Sequence, residues 1–380
     1  ITSQAPALVP LDAAGQPLRN ALIWMDTRSA PQCRKIREVF GEERIREITG
    51  NRTDASYILS KILWFKENEP ELFRKTAQIL NVNSYIAHKL GCQYFIDLSH
   101  ASLSQMFDVR TQKWSEEITD FFEIPRRLLP EIYEPAAVVG QVSAEASRAT
   151  GLPAGIPIVA GIVDANAAAL AVGIVGKGDG ALIMGTSSVL IMGMDSWAEC
   201  GNLAEIYHVS TQKTVVYGPM SATGASLKWI RDQFTQKSGP DGDEDLYRQL
   251  TGEAAQIPPG ADGLIFLPYM MGERAPLWDP YAQGTLFGLS LATTRGHMVR
   301  AIMEGAAFAI NDNYQEAQRL GLQLNRLMAV GGGNNEFWLK IIASVLNVPI
   351  SLPVRSNGTV WGAAILAGAG TDLYPDLEKT

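Results

Sequence analysis

The run Ile158-Val159-Ala160-Gly161-Ile162-Val163 carries no polar side chain, ends on Asp164, and is followed by an alanine-rich stretch over residues 165–171. A continuous apolar run of this length, led in by Gly155-Ile156-Pro157, predicts a strand buried on both faces. The small residues after it predict a tightly packed helix. A buried strand feeding straight into a helix points to an α/β protein. It also puts Asp164 at a strand's carboxyl end, where open α/β sheets hold their ligands. Gly173, Gly176, Gly178 and Gly180 then mark a joint. A single core stops growing at roughly 250–300 residues, and this chain has 380. Two domains are therefore expected, 1–178 and 179–380.

Further strand–turn–helix signals occur on both sides of that joint. In the first half, strands are expected at 7–12 and 21–24, with a turn at Ala14-Gly15-Gln16-Pro17. A helix follows in which Ser29 reads as the cap and Pro31 as a first-turn residue. Two more helices are expected near 59–68 and 84–90. In the second half, strands are expected at 181–184, 189–192, 215–217, 264–267 and 326–330. Helices are expected at 225–234, 246–250, 297–317 and 336–346. The stretch 236–244 reads as a polar surface loop.

Several function classes fall away. The formal net charge of −8 with no basic run argues against nucleic acid and anionic membrane surfaces, though not against phosphate held by backbone N–H groups. Cys33, Cys92 and Cys200 form no disulfide framework, and His88, His100, His208 and His297 share no zinc-ligand spacing. No apolar stretch is long enough to span a bilayer. No signal peptide is visible, so a cytoplasmic location is expected. The chain opens on Ile1 and runs at once into apolar sequence, which gives the expectation that it is the greater part of a longer protein.

Three constellations carry chemistry. Asp164 is placed to orient and deprotonate an attacking hydroxyl; by pattern alone a helix cap without chemistry is the commoner reading. Met184-Gly185-Thr186-Ser187-Ser188 is a hydroxyl- and glycine-bearing turn between apolar strands. It could wrap phosphate oxygens, or be an ordinary hairpin. Gly331-Gly332-Gly333-Asn334-Asn335 lies between a strand and a helix and would allow a nucleotide to approach the backbone closely. It could equally be a tight turn satisfied by its own chain. No Walker A sequence is present. A base at the end of one domain and two glycine-rich elements in the next describe a two-domain phosphotransferase.

The run GTLFGLSLATTRGHMVRAIME at residues 284–304 resembles the signature of the FGGY carbohydrate kinases. SYILSKILWFKEN at residues 56–68 is similar to the other family signature, with Ile58 where Pro, Ser or Thr is usual. Also similar are Ile23-Trp24-Met25-Asp26-Thr27-Arg28, the segment around Asp164, Gly272-Glu273-Arg274-Ala275-Pro276 and Gly362-Ala363-Ala364. The resemblance implies two actin-like (ribonuclease H-like) α/β domains with a central cleft, as in the sugar kinase, chaperone ATPase and actin superfamily. It implies ATP with Mg²⁺ as cofactors and a small sugar or polyol as the phosphoryl acceptor. Asp164 takes the place of the catalytic Asp, and Gly185, Thr186 and Ser187 that of the second phosphate loop. Gly224 and Lys228 fall near the nucleotide, and Gly331, Gly332 and Asn335 in the adenosine loop. Gln4, Trp24 and Ser56 become sugar contacts, in a pocket expected to be built by the first domain. The family's first phosphate loop, of Asp-Ile-Gly-Thr type, is not in this sequence, so the chain alone is not expected to be a competent kinase. Ala5-Pro6 stands where relatives have Met-His or Arg-Glu, which predicts a specificity other than xylulose or glycerol. A homodimer is left open.

The alternative reading is a non-catalytic sugar- or nucleotide-binding regulator on the same fold. Five residues carry bland expectations: Trp24 as a core side chain, Glu273 and Arg274 as an ion pair bracing a loop, Glu304 as a structural hydrogen-bonding group, and His297 as a helix-start residue without a catalytic role.

Overall fold

The apolar stretch expected as the first strand forms Ala7–Leu11, buried along its whole length. It is the middle strand of a three-stranded antiparallel sheet, between Leu22–Ile23 and Gln78–Leu80. The structure is a computed structural model that describes residues 1–235, 242–333, 335–353, 358–374 and 377. The expected loop 236–244 falls outside the described residues as far as residue 241, and Asn334 also lies outside them. Helices Ala30–Val39 and Ile58–Asn68 cover the sheet, burying Ile36, Ile58, Leu59 and Ile62 against Leu8 and Leu22. Ser29 occupies the cap position but makes no capping bond. Its hydroxyl turns instead to Ala55 O at 3.2 Å and to Ser60 Oγ at 3.0 Å. Two partners, one in helix Ile58–Asn68 and one in the turn before it, take the place of the local N–H.

The run into Asp164 is not one continuous strand. Pro157–Val159 pairs antiparallel with Val138–Gln141 and stops there. Gly161 then takes φ +91°, and a Cβ at this residue would fall 1.6 Å from Ile1 O. Such backbone contact in the left-handed region is open only to glycine, and it bends the strand. Pairing resumes as a parallel bridge between Val163 and Ser3, and the Asp164 N–H donates to Ser3 O at 2.9 Å. The alanine-rich helix follows at once, Asp164–Leu170.

The second half is built on a six-stranded sheet. Its order is Ala204–Tyr207, Thr214–Met220, Ser188–Met194, Asp179–Met184, Arg326–Val330, Ile350–Ser351. The first four strands are antiparallel, and the last two add in parallel. Helix Arg295–Arg319 packs one face, burying Ile302, Met303 and Ile310 in the larger core. Across the other face lies the alanine-rich helix from the first half, where Ala169 and Val163 meet Ala181, Ile191 and Val215. Helix Gly358–Gly370 comes so close to this helix that a Cβ at Gly362 would sit 1.8 Å from Ala167 O. Small side chains on both helices permit that approach. The result is that Asp164 sits at the junction of the two sheets. Among the described residues no helix is long and apolar enough to cross a membrane.

Candidate active site

Met184 and Ser188 pair directly across the expected turn, leaving Gly185-Thr186-Ser187 as a three-residue tip. Gly185 N–H donates to Ser187 O at 2.9 Å. Helix Thr223–Phe234 holds the tip from one side, with Ala225 N–H donating to Thr186 O at 2.8 Å and Thr223 Oγ1 at 2.5 Å from Ser188 Oγ. The turn after Val330 holds it from the other, with Gly333 N–H donating to Met184 O at 3.3 Å. A Cβ at Gly224 would stand 2.0 Å from Gly185 O, and one at Gly331 2.2 Å from Met184 O. Both glycines are set by backbone approach to the hairpin.

Two cavities flank this tip. The smaller, about 220 Å³, is lined by Gln4, Trp24, Ser56, Asp164, Ser187 and Arg274. The larger, about 430 Å³, is lined by Gly185, Thr186, Gly224, Lys228, Gly332 and Asn335. Consecutive tip residues therefore belong to different cavities, Gly185 and Thr186 to the large one and Ser187 to the small one. Gly331 lines neither. Its Cα side packs against the Met184 backbone, and the residue remains exposed. Asn335 lines the large cavity, but its amide is engaged: Oδ1 caps helix Glu336–Leu346 by accepting from Trp338 N at 3.2 Å, and Nδ2 reaches Thr251 Oγ1 at 3.3 Å. Gly332 is open, since a Cβ there would meet nothing within 4 Å.

Asp164 is the first residue of its helix, and the cap position belongs to Val163 with no side-chain capping bond. Its Oδ1 accepts from Ala165 N at 2.7 Å. Burial pushes its carboxyl above the ordinary value, opposed by the Ala165 N–H and by the nearby His100. His100 is buried, with Nδ1 2.6 Å from Asp97 Oδ2 and Nε2 3.3 Å from Ser3 Oγ. Ser3 is the residue whose carbonyl holds the Asp164 N–H. In the sequence His100 stands out only as a rejected metal ligand; the Ser3 contact comes from a distant segment and leaves no local signal.

The small cavity draws on both halves, which corrects the expectation that the first domain builds it alone. Tyr217, Arg274 and Trp278 come from the second half. Tyr217 hydroxyl donates to Asn166 Oδ1, and burial raises its pKa well above the usual phenol range. Glu273 and Arg274 do not form the expected ion pair. Glu273 Oε1 accepts from Ser221 N and Arg274 N, each at 2.8 Å. The Arg274 guanidinium instead lies 5.4 Å over the Trp24 ring and donates to Met220 O at 3.1 Å. An Arg stacked on an aromatic face loses little hydration and gains cation–π attraction, and here the stack bridges the two halves. Glu304 makes structural hydrogen bonds, and His297 lies at a helix start. Glu304 accepts from Gly260 N at 3.1 and 3.2 Å and from Arg300 Nε at 2.5 Å. His297 closes a capping box with Thr294.

Residues 1–171 match the model of the FGGY family of carbohydrate kinases, N-terminal domain, and residues 180–371 match its C-terminal domain. The chain belongs to the FGGY family of carbohydrate kinases. It is 31% identical over 381 residues to the xylulose kinase of Bacillus subtilis (strain 168), an alignment covering 100% of this chain and 75% of that relative. The crystal structure of xylulose kinase from Rhodospirillum rubrum superposes with a TM-score of 0.90 at 31% identity, covering 99% of this chain and 76% of that one. The structure of Plasmodium falciparum glycerol kinase with ADP superposes with a TM-score of 0.88 at 25% identity, covering 100% and 76%. The kinase is thus a two-domain α/β protein of the actin-like ATPase fold and an ATP-dependent phosphotransferase acting on an alcohol group. It spans about three quarters of the relatives' length. Within this kinase the cavities described above are the candidate places for acceptor and nucleotide.

Proposed function

We propose that the enzyme transfers the γ-phosphoryl group of ATP to a primary hydroxyl of a ketose or polyol held in the small cavity, with Asp164 as the general base. The observation that carries this reading is the hairpin tip. Gly185 and Thr186 face the large cavity, while the next residue, Ser187, shares the small one with Asp164. A phosphoryl group passing from one cavity to the other would cross at the tip. There the glycine backbone and the Thr186 hydroxyl can donate to its oxygens as charge develops. Asp164, raised by burial, would take the proton of the attacking hydroxyl. Trp24 offers a face for the apolar C–H side of a sugar, and Gln4 can both donate to and accept from hydroxyls.

The large cavity fits a nucleotide. Gly332 leaves open space at its wall, Lys228 is an exposed cation on the helix that begins at Thr223, and Thr186 is exposed at the tip. Mg²⁺ would come with the nucleotide, since it binds through phosphates with only one or two carboxylates, and Asp164 is the carboxylate lining the small cavity. Bound there, the cation would supply charge neutralisation on the transferring group.

Ala5 and Pro6 line the small cavity without a polar side chain. A substrate hydroxyl left unpaired against them would cost roughly 1–3 kcal/mol, so D-xylulose and glycerol are expected to be poor acceptors beside another ketose, polyol or deoxy sugar. An ADP-release screen of the full-length enzyme over pentuloses, hexuloses and alditols tests the reading. ADP formed with one of these acceptors supports it. Acceptor binding without ADP formation would favour a regulator. D-xylulose as best substrate by a wide margin would overturn the role given to Ala5 and Pro6.

Both halves line the small cavity, so binding is expected to close the cleft and exclude water. We place the domain boundary between residues 178 and 179, with the hinge in the glycines from Gly173 to Gly180. Small-angle scattering of the full-length enzyme with acceptor and a non-hydrolysable nucleotide should show a smaller radius of gyration than the free enzyme. An unchanged radius under saturating ligands would refute closure.

A further inference from the structure

Lys61 lies in helix Ile58–Asn68 and is fully buried. Its ammonium makes no ion pair among the described residues. The two carboxylates nearest in sequence to its partners are occupied elsewhere: Asp26 holds Arg28 at 2.8 and 2.9 Å, and Asp54 Oδ1 accepts from Ser56 N at 2.9 Å and Ser56 Oγ at 2.6 Å. Lys61 Nζ donates instead to two main-chain carbonyls, Asp26 O at 2.9 Å and Ala55 O. Ala55 O accepts a second bond from Ser29 Oγ at 3.2 Å.

The position of those carbonyls gives the contact its meaning. Asp26 follows Trp24 by two residues, and Ala55 directly precedes Ser56. Trp24, Ser56 and Tyr57 all line the small cavity. The two segments come from distant parts of the chain, and the Lys61 ammonium bonds the main chain of both. Burying an ammonium without a carboxylate partner is unfavourable, and a well-packed apolar side chain would serve stability better. What the charge provides is a fixed distance between the two segments. We propose that Lys61 is a positioning residue for the acceptor: it fastens the Trp24 segment to the Ser56 segment and so sets the shape of the small cavity. This rests on the reading of that cavity as the acceptor site.

Burial lowers the Lys61 ammonium to about 8, opposed by the charges of Asp26 and Asp54, while Arg28 adds to the lowering. Cys33, on helix Ala30–Val39, is itself pushed up to about 11 by burial and stays neutral across this range. The lowered value means that the charged form, which makes the stronger bonds to carbonyls, prevails below about pH 8 and is lost above it.

The test uses the full-length enzyme with Lys61→Met and Lys61→Arg. Met matches the length of the side chain and cannot donate; Arg keeps the charge across the whole pH range. For Lys61→Met we expect the KM for the acceptor to rise about tenfold or more, with kcat and the KM for ATP within about threefold of wild type. The wild-type acceptor KM should rise between pH 7 and pH 9, and both variants should be flat over that range. Amide hydrogen exchange should accelerate at residues 24–28 and 54–57 in Lys61→Met, and less so in Lys61→Arg. Equal exchange in wild type and Lys61→Met would overturn the proposal, as would a loss confined to kcat or shared equally by ATP and acceptor. If Lys61→Met does not fold, Lys61→Arg carries the pH and exchange readouts. Exchange needs no substrate, so an enzyme that phosphorylates no sugar in the screen would overturn the kinase mechanism while the exchange result still decides the role of Lys61.

Discussion

Asp164→Asn in the full-length enzyme is expected to fold normally, bind both substrates and lose kcat by about 10²-fold or more. An amide of the same shape preserves packing, and its oxygen can still accept from Ala165 N, now 2.7 Å from Asp164 Oδ1. What it lacks is the capacity to take a proton from the attacking hydroxyl. Burial gives the same residue a pH signature. The carboxyl is pushed above its ordinary value of 3.8, and only the ionised form acts as a base. Wild-type kcat/KM should therefore fall as pH drops through this raised value. In Asp164→Asn that acid limb should be absent. Steady-state rates over a pH series check both points. Turnover near wild type, or an acid limb that persists in the variant, would remove Asp164 from the mechanism.

Gly224→Ala should be the next most damaging change, with kcat/KM for ATP falling about 10- to 100-fold. The new Cβ would need to occupy a point 2.0 Å from Gly185 O, and a backbone carbonyl cannot swing aside as a side chain can. Overpacking of this kind costs about 1–3 kcal/mol. Here the strain falls on the hairpin tip that separates the two cavities. Gly252→Ala is the matched control. Gly252 lies in helix Gly242–Ala255 with nothing within 4 Å of its would-be Cβ, so it should leave kinetics unchanged and add about 0.5–1 kcal/mol of stability. Thermal unfolding and ATP kinetics on both variants check the contrast. Equal kinetics for the two would show that the tip tolerates displacement.

Much of the site is legible in the sequence, for a physical reason. Asp164 closes an apolar run and opens a helix, and the tip at Gly185-Thr186-Ser187 and the turn at Gly331-Gly332-Gly333 each sit where a strand ends; such places carry local signals, an apolar run that stops at a polar residue or a glycine. The bounds of strand Arg326–Val330 and helix Glu336–Leu346 match those expected from pattern. The strand before Asp164 is shorter than expected because the apolar pattern continues through Gly161. Its break falls at Gly161, where Ile1, far away along the chain, comes against the backbone.

The two-domain α/β plan and the family follow from the order of amino acids alone. Periodicity, turn chemistry and signature spacing are properties of neighbours along the chain. Tertiary structure decides what depends on distant segments meeting. It sets Arg274 over Trp24 rather than against Glu273, and brings Gly331 against the Met184 backbone. It joins His100 to Ser3 beneath Asp164, and directs the Lys61 ammonium to two carbonyls of separate loops. A buried charge or polar group must find partners wherever the fold brings them within reach, and no local pattern records which segment will supply them.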